Sequence, residues 1–386
     1  MRSFALAFLG LLAAAQLQAQ AIVPAPPQVA AEAHILVDAA TDFVIAGDDA
    51  DEPLPPASLT KLMTSYVLAR EIAEGRLERD DPVAVSENAW SQNPVFRGSS
   101  LMWIEPGKPV TVGQLERGIV ISSGNDATVA VAEHVAGSEA AFAELMNQNA
   151  QQLGLTGSHF TNSHGLPDPQ HVTTARDLAT LASKLIEQFP VHYRRYRELD
   201  YTYNDIKQYN RNRLLREDPS VDGLKTGYTQ EAGYGLVASA RRGDMRLVSV
   251  VLGTSSPTAR KNETRSLLNY GFRFYETAHL LDGGDELEKP RIWKGKADYV
   301  SVGVLDDVVL TLPRGKRQRV ERRVTLAEDI VAPLAQGDSV GTLTLLLDGE
   351  VLHQGPLVAL SAVEASGFFA RLWDMILMWL ARLFGA

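Results

Sequence analysis

Two β-rich stretches lie far apart in this chain, and the sequence between them is helical. Near the start, residues 35–37 and 43–45 are apolar, β-rich runs on either side of the polar turn Ala40-Thr41-Asp42. Beyond Asp222, "YGLVASA" and "MRLVSVVLG" flank Arg242-Gly243-Asp244 and read as a second hairpin. Between the two, Leu62, Met63, Tyr66 and Val67 follow helical spacing, and residues 110–134, 139–153 and 174–189 continue it. A small-residue knot, Ser122-Ser123-Gly124-Asn125, interrupts the first of these runs, and "NSHGLPDPQH" separates the last two as a loop. Strands at both ends with helices between predict one α/β or α+β domain over residues 22–282.

The texture changes after residues 281–290, "LDGGDELEKP", which read as a linker. Short apolar runs with turns follow, and Asp348-Gly349 between two of them is a strong hairpin signal. This predicts a small all-β domain over residues 288–360, without a catalytic-looking cluster. The chain closes on "GFFARLWDMILMWLARLFGA". Wound as a helix over residues 366–386, it places Arg371, Asp374 and Arg382 on one narrow stripe with Met378, and Phe368, Phe369, Trp373 and Trp379 elsewhere. A membrane span needs roughly 20 apolar residues. This segment is shorter and charged, which suits a helix lying in the membrane interface. A terminal helix docked on the protein's own core is the competing reading.

Arg2, an apolar run over residues 4–15 and the small-x-small site Ala19-Gln20-Ala21 read as a signal peptide covering residues 1–21, hence an exported protein. The chain has 386 residues and no cysteine, which excludes disulfides, a thiolate nucleophile and Cys-ligated metal. A formal net charge of −10 argues against nucleic acid as a partner.

The chemistry starts at "PPASLTKLMTSYV". Ser58 is a favoured helix cap, but a capping box wants Glu or Gln three residues on, and this chain has Lys61. A cation in the first turn opposes the helix dipole by a few tenths of a kcal/mol or more. Residues three apart share a helix face, so the Lys61 amine can reach the Ser58 hydroxyl. A serine hydroxyl needs an adjacent base, and a lysine serves as one if burial or a nearby cation lowers its pKa. Ser123-Gly124-Asn125 is a tight polar turn amid helical flanks, able to project a hydroxyl and an amide into a cleft. Lys225-Thr226-Gly227 opens a strand, where Gly227 would let another backbone approach closely.

In that order and in helix, loop and strand contexts, the three motifs resemble those of the penicillin-binding proteins and serine β-lactamases. "VDGLKTGYT", "AGYGLVASA" and "YGFRFYET" (residues 270–277) are similar to the low-molecular-mass D-alanyl-D-alanine carboxypeptidases within that group. The resemblance covers essentially the whole chain. It implies a penicillin-binding-protein-like catalytic domain, the β-domain and an amphipathic anchor, on the periplasmic face of the inner membrane. It implies peptidoglycan pentapeptide stems as substrate, β-lactams as inhibitors, and no metal or other cofactor. It also implies roles. Ser58 attacks the penultimate D-alanine carbonyl and Lys61 is its base. Ser123 relays a proton to the leaving D-alanine, and Asn125 holds the peptide amide. Lys225 supplies positive charge, and Thr226 helps bind the terminal carboxylate. The N–H groups of Ser58 and Tyr228 form an oxyanion hole. The Tyr228 side chain rims the site.

A carboxypeptidase must recognise a free carboxylate, which calls for cations. Arg260 is a candidate beside Lys225, and is equally readable as a solvated surface arginine; Arg211 in "YNRNRLL" matches a family position of less clear role. Three other functions compete. A β-lactamase of the kind that deacylates through a loop glutamate would need one in residues 163–179, where there is none. A catalytically dead scaffold has no use for the complete motif set. An endopeptidase usually lacks the β-domain and anchor.

Overall fold

The strand Ala33–Asp38 is buried at every residue. Ile35 and Val37 pack into one apolar cluster and Leu36 into another. Alternate side chains of a strand point to opposite faces, so this strand has core on both sides and lies inside a sheet. It pairs antiparallel with Val44–Asp48 on one side and with Met245–Thr254 on the other, Leu36 facing Ala46 and Ser249. The sheet continues through Gly233–Arg242 to Val221–Thr229, which forms its edge. The two predicted hairpins therefore supply four of the five strands of one sheet.

The structure is a computed structural model that describes residues 23–384; the expected signal peptide lies outside them. The helices Lys61–Ala73, Asn125–Ala136 and Ala175–Gln188 share one apolar cluster with one face of the sheet, and Pro257–Phe274 packs on the other through Leu267 and Leu268. Lys61–Ala73 is buried from Lys61 to Ala69, so it is a central helix rather than a half-exposed one. Burial of side chains such as Leu62 and Met63 stabilises the fold by roughly 1.5–3 kcal/mol each.

The second sheet runs in the order Glu286–Glu288, Val302–Gly303, Glu350–Ala359, Ser339–Leu347 and Val320–Leu326, around Val302, Leu343 and Leu357. Asp348 and Gly349 both take positive φ, 55° and 91°, as a tight two-residue hairpin turn requires. The linker reading of residues 281–290 needs correcting. Glu286–Glu288 pairs with Val302–Gly303 as part of this sheet, and Tyr275–Leu281 pairs with Val308–Pro313. The pattern "ELE" carries too little apolar signal to announce a strand.

The helix Phe368–Phe384 meets the β-domain through Asp374 and Arg382 of its charged stripe. Asp374 Oδ2 accepts the Lys294 N–H at 2.6 Å, and Arg382 pairs with Asp329. Phe369, Trp373 and Trp379 are 83%, 61% and 63% exposed. The helix thus docks through those two polar residues, and its aromatic side is bare. Among the described residues no helix is long and apolar enough to cross a membrane.

One buried carboxylate joins the two domains. Asp38 has no exposed surface, and its Oδ2 accepts the hydroxyls of Thr277 at 2.5 Å and Thr311 at 2.8 Å. Asp38→Ala leaves the Thr277 hydroxyl unpaired and Thr311 with only Thr41 as partner, at a cost of about 1–3 kcal/mol. Calorimetry on the purified chain should show a lowered or split melting transition; an unchanged profile would remove Asp38 from this role.

Candidate active site

Ser58 does not cap the helix. It sits in a short 3-10 turn, Ala57–Thr60, entered by Ala57 at φ 47°, and the helix begins at Lys61 with no side-chain cap. The turn leaves Ser58 half-buried with its Oγ 3.0 Å from Lys61 Nζ. Lys61 has no exposed surface, and its Nζ also donates to Asn125 Oδ1 and to the His164 carbonyl, both at 2.7 Å. Burial, and secondarily the charge of Arg211, hold its pKa down to about 7, against a weaker opposing pull from Asp126. A neutral amine has two N–H donors and one lone pair. Asn125 Oδ1 and His164 O can only accept, so the lone pair is left facing the Ser58 hydroxyl.

The second motif is built by a break in helical geometry. After Gly118–Ser122, Ser123 takes the left-handed conformation (φ 59°, ψ 33°), and Asn125 opens the next helix. Ser123 Oγ accepts from Lys225 Nζ at 2.8 Å. Asp126, which the sequence reading passed over, ties the turn to a neighbouring loop. Its carboxylate accepts the N–H groups of Met102 and Trp103 at 2.8 Å, Ala127 at 2.9 Å and Ile104 at 3.1 Å. In sequence an Asp at a helix start is indistinguishable from a dipole-stabilising residue.

The third motif lies on the edge strand Val221–Thr229. Lys225 is buried, and burial, followed by the charges of Lys61, Arg211 and Arg260, keeps its pKa well below that of a free lysine. Gly227 is needed for clearance, as its sequence position implied: a Cβ there would stand 3.0 Å from Pro56 O and Leu59 Cγ, on the Ser58 turn. Tyr228 is exposed and stacks on Tyr234 with ring centroids 4.1 Å apart. Thr226 is buried in the cleft wall.

Arg260 is not a solvated surface residue. It is 8% exposed, donates to Gly227 O at 2.9 Å and lies 5.5 Å from the Tyr234 ring centroid. Arg211 lines the same cleft and donates to Ser100 Oγ at 2.7 Å. The turn-rich loop after residue 160 supplies what sequence alone did not single out. The His164 carbonyl is one of Lys61's acceptors, and Gly165, at φ 85°, packs so tightly that a Cβ would come within 1.8 Å of Ala57 O. Among the described residues, the group of side chains spaced to share a cation, His279, Asp282 and Asp307, lies outside the cleft.

Ser58, Ser123, Asn125, Thr226, Tyr228 and Arg260 thus line one cavity of about 630 Å³, with Lys61 and Lys225 buried in contact with it. A hydroxyl with an amine lone pair facing it, a second hydroxyl bonded to a second amine, and arginines in the same lining are an arrangement able to support acyl transfer.

A family model described as D-alanyl-D-alanine carboxypeptidase matches residues 20–256, and one described as penicillin-binding protein 5, C-terminal domain, matches residues 275–365. The D-alanyl-D-alanine carboxypeptidase DacC of Escherichia coli K12 is 44% identical, over 98% of this chain and 96% of its own. DacA of Haemophilus influenzae is 40% identical, over 93% and 92%. Among solved structures, penicillin binding protein 5 from Haemophilus influenzae superposes with a TM-score of 0.85 at 40% identity, over 88% of this chain and 99% of that one. Penicillin binding protein 6B from Escherichia coli gives 0.76 at 37%, over 88% and 98%. Agreement this long, in sequence and in backbone alike, makes the chain a member of the D-alanyl-D-alanine carboxypeptidases, the serine-type hydrolases among the penicillin-binding proteins.

Proposed function

We propose that this enzyme removes the terminal D-alanine of peptidoglycan pentapeptide stems through an ester on Ser58, and that β-lactams acylate the same oxygen. The observation that carries the assignment is the orientation of Lys61, whose two other neighbours leave its lone pair to Ser58. Lys61 takes the hydroxyl proton as Oγ attacks the penultimate D-alanine carbonyl. The N–H groups of Ser58 and Tyr228 hold the developing oxyanion. As the C–N bond breaks, the proton that Lys61 took passes on through the Ser123 hydroxyl, which Lys225 Nζ holds in place, to the leaving amine, so that Lys61 is neutral again for the water step. Asn125 holds the peptide amide. Thr226 and Arg260 bind the terminal carboxylate, a charge-assisted contact that a buried arginine makes well. The stem enters as an added strand along the free edge of Val221–Thr229. Water then hydrolyses the ester.

The enzyme works outside the cytoplasm on the periplasmic face of the inner membrane, following export by the signal peptide. Phe368–Phe384 lies in the lipid interface with Trp373 and Trp379 in the acyl boundary, since Asp374 and Arg382 of its charged stripe are already committed to the β-domain.

Three outcomes follow. Mass spectrometry after penicillin treatment places the adduct on Ser58, with slow release, and Ser58→Ala abolishes both adduct and D-alanine release; an adduct elsewhere removes the nucleophile assignment. Acylation requires neutral Lys61, whose pKa is lowered, so its rate climbs with pH and levels off above about 7; a flat profile through that region contradicts the base. Deleting residues 367–386 moves the protein from the membrane to the soluble fraction, and an unchanged distribution assigns the helix to the β-domain alone.

A further inference from the structure

The cleft wall is cationic and unneutralised. Arg211, Arg213, Arg216 and Arg260 all line it, and no Asp or Glu does, in a chain of net charge −10. The nearest acids in sequence are engaged elsewhere. Glu217 pairs with Lys261 at 2.9 Å and with Arg265, and Asp218 pairs with Arg242 at 3.0 Å. Among the described residues, none of the four cleft arginines has a carboxylate within ion-pair distance. They also disfavour one another: after burial, the charges of Arg211 and Arg213 help to hold the Arg260 pKa down to about 10. An anion brought from outside relieves that repulsion.

Arg216 is prepared for a ligand rather than adrift in solvent. Its Nη2 donates to Leu199 O at 3.1 Å, and its guanidinium lies 5.1 Å from the ring centroid of Tyr209, itself exposed in the cleft wall. A guanidinium carries five N–H donors, so one anchoring bond leaves most of them free. The terminal carboxylate of the substrate has two oxygens, and Arg260 and Thr226 account for it. Among the described residues, Arg213 and Arg216 remain without a carboxylate partner.

We infer that Arg213 and Arg216 form an accessory subsite for a second carboxylate of the peptide stem. This rests on the carboxypeptidase reading above. The terminal D-alanine ends the stem and its side chain is a methyl group, so the second carboxylate belongs to a residue before the D-alanine pair. The enzyme therefore selects acidic stems over amidated ones.

The test uses the full enzyme and matched N-acetylated peptides ending in D-Ala-D-Ala, with glutamate or its isostere glutamine one or two residues before that pair. D-alanine release is measured as kcat and KM. At one of the two positions the glutamate peptide should have a kcat/KM about tenfold higher, the scale of one charge-assisted hydrogen bond. The gain should lie in KM, and it should shrink with added salt. In the double variant Arg213→Gln/Arg216→Gln, confirmed folded by its melting curve, the ratio should fall to near one. A ratio of one in the native enzyme at both positions overturns the subsite, and so does a preference that survives in the double variant. If no peptide releases D-alanine, the carboxypeptidase reading itself fails, and the subsite with it.

Discussion

Lys61 Nζ has three oxygen neighbours, and only one of them can donate to it. An exposed lysine would keep its proton and turn freely. Here burial removes the proton near pH 7, and the Asn125 amide and the His164 carbonyl fix the amine's two remaining hydrogens. Burying an uncharged amine with both donors satisfied avoids the several kcal/mol that an unpaired buried ammonium would cost. Stability and catalysis therefore ask for the same protonation state. The helix start adds to this, because the positive end of the dipole disfavours a cation where Lys61 sits.

That geometry depends on three chain segments meeting at a single turn. The loop carrying His164 reaches Lys61 because Gly165 lies against Ala57, and the edge strand carrying Lys225 closes in because Gly227 lies against Pro56 and Leu59. Asn125 arrives from the opposite side, behind the left-handed Ser123 and the loop that Asp126 pins. A side chain at Gly165 would push the acceptor away from the amine. The lone pair would then gain freedom just where it needs direction, so the glycine matters to the base without touching it.

Spacing made some of this legible. A spacing of three from Ser58 to Lys61 puts hydroxyl and amine on one face, and the helical and strand periods located the three motifs on their elements. Other features escaped for a physical reason. The carbonyl of His164 and the carboxylate of Asp126 act through tertiary contacts that no local pattern records. Arg260 showed its charge in the sequence and not its burial. Ser58 looked like a cap because a 3-10 turn leading into a helix has the same residues as a capped one. The C-terminal helix displayed its charged stripe plainly, yet which surface the stripe faced depended on Lys294 and Asp329, eighty and fifty-three residues away from their partners Asp374 and Arg382.

In the proposed mechanism the lining of the cleft bears on how the ester is lost as well as on how it forms. Among the described residues the cleft lining contains no carboxylate, so the water that attacks the Ser58 ester has no acidic side chain to deprotonate it. In the mechanism proposed above Lys61 must serve again, and it is held by the same two acceptors, with its lone pair aimed at Oγ rather than at open solvent. With the natural substrate, loss of D-alanine vacates the leaving side of the ester, and water can take its place within reach of the amine. A β-lactam keeps its leaving nitrogen tethered after the ring opens, so that space stays filled. On the mechanism proposed above, the direction imposed on one lone pair would give both turnover with the peptide and slow release of the drug, with no additional residue required for either.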